Sequence, residues 1–166
     1  MKITASAERR IDAPASRVHE YIADFRQHHP HILPAAFSDL VVEEGGYGAG
    51  TIARFTLTAG GRSSTARIRV DEPEPGRVLT ETQIDGQRQM VTTFLVEGEP
   101  RGTSRVRIHT ELTSTGPRAI AERLVVPRML RGLYREELEL LAAYARERSR
   151  TAPRIMPSVG RGFVVG

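Results

Sequence analysis

Between Asp39 and Leu112 the chain alternates apolar and polar residues with period two, in segments of strand length separated by Gly, Pro or Asp. No other feature restricts the fold as much. Period two sends every second side chain to the same face, and short segments joined by tight turns bury that face by pairing into an antiparallel sheet. The predicted strands are Leu40–Glu44, Thr51–Ala59, Arg62–Asp71, Arg77–Asp85, Arg88–Glu97 and Thr103–Leu112, and a loosely alternating stretch over residues 2 to 12 adds a first strand. In the last of them Val106, Ile108, Thr110 and Leu112 share one face, and Arg105, Arg107, His109 and Glu111 the other. Only one face of the sheet is therefore dry. Ala66, Ile68 and Val70 oppose Arg67 and Arg69 in the same way.

The run Glu44-Gly45-Gly46-Tyr47-Gly48-Ala49-Gly50-Thr51 raises the question of phosphate binding. A phosphate-binding glycine loop feeds a helix whose first amides face the anion. This one feeds Ile52-Ala53-Arg54-Phe55, which is strand-like, and no Gly-Lys-Ser/Thr follows. It is read as a turn in which glycine supplies positive φ.

Helical spacing occurs at both ends of the strand region. After Asp12-Ala13-Pro14, with Pro14 in the first turn, Val18, Tyr21, Ile22 and Phe25 recur at helical intervals; Asp24 to Pro34 reads as a second short helix running into a loop. Beyond Gly116-Pro117, Ile120, Leu124, Pro127, Leu130, Tyr134, Leu138 and Leu141 form the stripe of one long amphipathic helix, which Pro127 is expected to kink or break. Residues 1–150 are expected to form one domain and 151–166 a flexible tail.

Cysteine is absent from the 166 residues, so disulfides, thiolate metal sites and cysteine nucleophiles are excluded. The N-terminal residues lack the apolar core of a signal peptide and no apolar run has membrane-spanning length, so a cytoplasmic protein with no stable membrane insertion is expected. The net charge of +4 comes almost wholly from arginine, scattered among acids without a basic stripe. No nucleic-acid partner is expected.

The succession of one strand, two short helices, six antiparallel strands and a long helix resembles the START-like (SRPBCC) superfamily. Ile11-Asp12-Ala13-Pro14, Val18, Tyr21 and Asp24 are similar to that family's entry into its first helix. The glycine turn and Asp71-Glu72-Pro73-Glu74-Pro75-Gly76-Arg77 are similar to its later turns. The bacterial branch labelled polyketide cyclase/dehydrase or lipid-transport-like is nearest in pattern. The resemblance implies an α+β helix-grip fold, as in the birch pollen allergen: a seven-stranded curved antiparallel sheet wrapped around the C-terminal helix, with a cavity between them for an apolar or amphipathic small molecule.

Candidate ligand-binding residues are Tyr21 and Phe25 after the first strand; Phe55, Leu57, Ile68, Thr82, Met90, Thr92, Phe94, Ile108 and Thr110 on the sheet; and Leu124, Met129, Leu133, Tyr134 and Leu138 on the long helix. Thr92 and Thr110 break otherwise apolar faces, and buried hydroxyls need hydrogen bonds. They either line a partly wet cavity, or bond to backbone or sit near strand ends. His28 and His31 have a metal-like spacing, but Pro30 lies between them and no third ligand is apparent, so no metal and no cofactor is expected. A loop at the cavity mouth is the family-level alternative for them. Cyclase or dehydratase chemistry needs an acid and a base; Tyr134, Arg54 and Glu81 are the candidate catalytic residues, each with a plainer role in packing or on the solvated sheet face. Binding or carriage of a small hydrophobic molecule, by a monomer or homodimer, is the favoured function. The alternatives are an aromatase, cyclase or dehydratase acting on a polyketide-like substrate, and a toxin-like or co-chaperone-like partner-binding member.

Overall fold

A computed structural model describes residues 1–86, 89–117 and 119–152. Its strands are β1 (Lys2–Ile11), β2 (Phe37–Glu44), β3 (Ile52–Ala59), β4 (Arg62–Glu74), β5 (Val78–Gln83), β6 (Gln89–Glu99) and β7 (Thr103–Thr113). The helices are α1 (Ala15–Ala23) and α2 (Ala119–Thr151), with 3-10 turns at His29–His31 and Pro100–Gly102. All seven strands form one antiparallel sheet in the order β1-β7-β6-β5-β4-β3-β2. The fold is α+β: β2 to β7 run as a meander, and β1 returns beside β7, with Lys2 opposite Thr113 and Ile11 opposite Ser104.

Alternation in β7 is as the sequence predicts, with Val106, Ile108, Thr110 and Leu112 buried. The opposite face carries ion pairs, among them Arg105 and Arg107 with Glu8 and Arg67 with Glu43. Pairing register shifts between Ser38 and Val41 and between Val42 and Glu44 on β2, and between Asp71 and Glu74 on β4. Such bulges bend a strand and increase its twist, which curves the sheet. The β4 shift also explains how this strand runs past Pro73 to Glu74, beyond its predicted end at Asp71. α2 packs chiefly along β1 and closes a core in which Ile11, Val18, Ile22, Phe25, Leu138 and Leu141 are essentially inaccessible. Each such side chain contributes about 2 kcal/mol of burial.

Four expectations about the helices change. Pro14 is the N-cap, with extended ψ of 147°, one position before the first turn. The second short helix is only the 3-10 turn at His29–His31, because Pro30 and Pro34 leave too few backbone donors to propagate a ladder. Pro127 does not break α2, which runs through it for 33 residues. The first turns of α2 also leave Ile120, Leu124 and Val125 60–69% exposed, so the buried stripe effectively begins near Leu130. The tail expected over 151–166 lies, from residue 153, outside the described residues. Among the described residues no helix is long and apolar enough to cross a membrane.

The glycine run joins β2 to β3 and also clasps α1. Phe25 N donates to Gly46 O at 2.9 Å and Gly48 N to Ala23 O at 2.9 Å. Gly48 has φ +58°, and a Cβ there would stand 2.3 Å from Glu72 Oε2. That carboxylate accepts from Ala49 N at 3.2 Å, and its other oxygen lies 2.8 Å from His19 Nε2 on α1. The loop thus fixes the end of α1, from which Phe25 and His29 reach the interior.

Candidate functional site

A cavity of about 570 Å³ lies between the concave sheet face, the segment after α1 and the first half of α2. Most of its wall is apolar: Phe25, Phe37, Phe55, Leu57, Ile68, Met90, Phe94, Leu112, Met129 and Leu130 all line it. Against this wall stand His29, Glu81, Thr92, Tyr134 and Glu137.

Glu81 enters from β5, opposite Thr92 on β6. Burial pushes its carboxyl up to about 8, so near neutral pH it is mostly an O–H donor. Glu137, on α2, is 4% exposed; burial, then the proximity of Glu81, raises its carboxyl well above the ordinary range. His29 Nδ1 is 2.7 Å from Ile22 O. A carbonyl only accepts, so Nδ1 carries the hydrogen and Nε2 presents a lone pair, 3.9 Å from Glu81 Oε1. Burial lowers the ring to about 4, against the opposing pull of the Ile22 carbonyl. Stacking on Phe25 at 4.3 Å and 12° holds its plane. A protonated acid and a neutral imidazole thus face one another in a mostly apolar wall. One can give a proton and the other take one at the same pH.

Tyr134 is less free. Its hydroxyl makes a short hydrogen bond with Thr110 Oγ1, which in turn lies 2.8 Å from Thr92 Oγ1. Burial first of all pushes the phenol up to about 12. The two threonines that break the apolar pattern satisfy each other and Tyr134, not the backbone.

Of the candidate ligand-binding residues, Phe25, Phe55, Leu57, Ile68, Met90, Thr92, Phe94, Met129 and Tyr134 come together in the lining. Ile108, Thr110, Leu133 and Leu138 are buried outside it, and Leu124 is exposed. Tyr21 sits in an aromatic cluster with His28 and Tyr144, at 5.2 Å from each ring, and borders a second, more polar cavity near Arg17 and Arg148. Thr82 has the opposite phase to that expected: Leu79 and Glu81 face inward on β5, and Thr82 pairs with Arg69 on the far side. Among the catalytic candidates Glu81 and Tyr134 reach the cavity. Arg54 is half exposed on the outer face, 3.5 Å from Glu43.

Sequence reasoning missed His29 and Glu137. Metal-like spacing drew attention to His28 and His31, whereas His28 bonds Tyr144 at 2.7 Å and His31 stacks on that ring. Glu137 could have been found by periodicity, since it lies seven residues after Leu130 and one before Leu138, on the buried stripe.

A family model described as polyketide cyclase / dehydrase and lipid transport matches residues 2–146. Among solved structures, the KanY protein is similar at 27% identity and a TM-score of 0.76, over 88% of this chain and 99% of that one. The protein TTHA0849 from Thermus thermophilus is similar at 21% identity and 0.73, over 88% and 99%. The Zhui aromatase/cyclase from Streptomyces sp. R1128 follows at 16% and 0.72, over 92% and 98%. At the identities of the last two, the likeness is one of fold. No curated protein sequence matches the chain significantly.

Proposed function

We propose, from the premise that this chain belongs to the polyketide cyclase/dehydrase and lipid transport family, that its cavity takes up one small, mostly apolar molecule bearing a carbonyl, and that Glu81 and His29 move protons on it. The observation that carries this reading is the uncharged acid–imidazole pair, 3.9 Å apart in an apolar wall. Burying a carboxyl without a hydrogen-bond partner costs about 1–3 kcal/mol, a cost that passive carriage of a hydrocarbon does not require. Perturbed titratable groups in a cleft are where proton-transfer chemistry is found.

For a β-hydroxy ketone the steps balance as a dehydration. His29 Nε2 takes the proton α to the carbonyl, the electron pair forms the new C–C double bond, and the hydroxyl leaves as water with the proton of Glu81. The imidazolium then returns its proton to the Glu81 carboxylate. The hydrogen bond from Nδ1 to the Ile22 carbonyl stabilises the transient imidazolium. Tyr134 holds the wall through Thr110 in this reading and transfers no proton.

Carriage alone is the second reading, favoured by the apolar majority of the lining. The two separate with a short β-hydroxy ketone carrying an apolar tail. The wild-type chain should convert it to the enone, seen by ultraviolet absorbance, and Glu81→Gln should slow this on the order of a hundredfold or more with binding retained. Binding without turnover leaves carriage as the function, and a Glu81→Gln rate equal to wild type removes Glu81 from the chemistry.

A further inference from the structure

We infer that the cavity admits uncharged amphiphiles and rejects carboxylates, because its two inward-facing carboxyls, Glu81 on the sheet and Glu137 on α2, leave an anionic ligand without a counter-charge among the described residues. The inference rests on the ligand-binding reading above and narrows its substrate class. Glu137 is 4% exposed, faces the cavity and has no hydrogen-bond partner among the described residues. Its polar capacity points at whatever occupies the space.

The other described groups on the wall supply no cation. His29 is held neutral, with its only N–H given to Ile22 O. Tyr134 is tied to Thr110, and Gln83 gives its amide to Asp85 at 3.1 Å. The lining residues of β2, β3, β4, β6 and β7 include no titratable side chain, and no Lys or Arg lines the cavity among the described residues. A ketone, ester or thioester oxygen can accept from a protonated carboxyl at no cost in charge. A carboxylate must either enter charged beside two acids or bind a proton first. With an ordinary pKa near ~4.5, protonation at about pH 8.5 corresponds to roughly four units, or on the order of 10⁴ in affinity. A hydrogen bond accepted from either acid offsets part of this, and a penalty of at least about tenfold is expected to remain.

The test uses the whole chain, the uncharged dye Nile red, and the matched competitors 2-dodecanone and dodecanoic acid. At about pH 8.5 the ketone should displace the dye at least about tenfold more effectively than the acid, with the gap narrowing towards about pH 5, where protonating the acid costs less than about one unit. Equal displacement at about pH 8.5 overturns the exclusion of carboxylates and leaves the ligand-binding reading standing. Failure of both dye and ketone to bind overturns that reading itself. In the double variant Glu81→Gln, Glu137→Gln, the gap at the higher pH should narrow several-fold, because neither wall then becomes negative. An unchanged gap in a folded double variant removes the assignment to these two residues.

Discussion

A tyrosine hydroxyl deep in a cavity wall invites a catalytic role, yet the partners of Tyr134 argue for a structural one. Its oxygen completes a three-hydroxyl chain with Thr110 and Thr92 that leaves none of them unsatisfied. In Tyr134→Phe the threonine pair remains, so the loss is one buried hydrogen bond. Urea denaturation should show destabilisation by about 1–2 kcal/mol, while enone formation falls far less than in Glu81→Gln. A rate loss matching that of Glu81→Gln would return Tyr134 to the chemistry. This also marks what the residues themselves disclosed. Thr92 and Thr110 were conspicuous as polar breaks in apolar strands, but their partners lie on another strand and on a helix, beyond the reach of local pattern. Glu81 was visible as a candidate but not its orientation, since the phase of β5 is set by Leu79 packing into the core. His29 differs from its neighbours His28 and His31 only by which way a 3-10 turn points it.

Among the elements, the strands were legible because alternation is a local property, and their order followed from short turns. Less legible was the second contact each turn makes. The glycine loop between β2 and β3 reads as an ordinary turn, yet it clasps α1 and is locked by Glu72 from β4. Gly48 and Gly60 provide a controlled comparison: both have φ +58°, but a Cβ at Gly48 meets Glu72 while one at Gly60 meets nothing within 4 Å. Gly60→Ala should cost about 1 kcal/mol for the left-handed backbone alone. Gly48→Ala should cost about 1 kcal/mol more, as Glu72 gives up Ala49 and His19, and should weaken ligand binding by loosening the segment that holds Phe25 and His29. Equal Tm losses for the two variants would show that the clasp contributes nothing. On α2 the sequence pattern gave the length but misplaced the buried stripe. Its first turns border the cavity through Val126 and Met129 rather than packing on the sheet, so Ile120 and Leu124 have nothing to cover them.

At the scale of the whole molecule, the buried acids make stability depend on pH in a direction opposite to that of salt-bridged carboxylates. The ordinary Glu value is 4.5, and Glu81 in the folded chain stands at about 8. Between those values the native state holds a proton that the unfolded chain has lost. Stability therefore falls as pH rises through this window, at about 1.4 kcal/mol per unit. Glu137, raised in the same sense, acts in the same direction. His29 acts oppositely: lowered from 6.5 to about 4, it stays neutral while the unfolded chain takes up a proton, so its contribution rises with pH between those limits and is then complete. Below 6.5 it offsets one of the two acids. Above 6.5 both acids act without opposition, and the decline steepens until Glu81 ionises near 8. Urea midpoints measured from about pH 6.5 to 8 should therefore drop in the wild-type chain, by a stability change on the order of 2 kcal/mol for Glu81, with Glu137 adding in the same direction. In Glu81→Gln, Glu137→Gln they should stay nearly level, and the double variant should be the more stable form at the upper end. Parallel curves for the two proteins would mean that these carboxyls are already ionised and solvated in the native state. The protonated wall on which the proposed chemistry depends would then be absent.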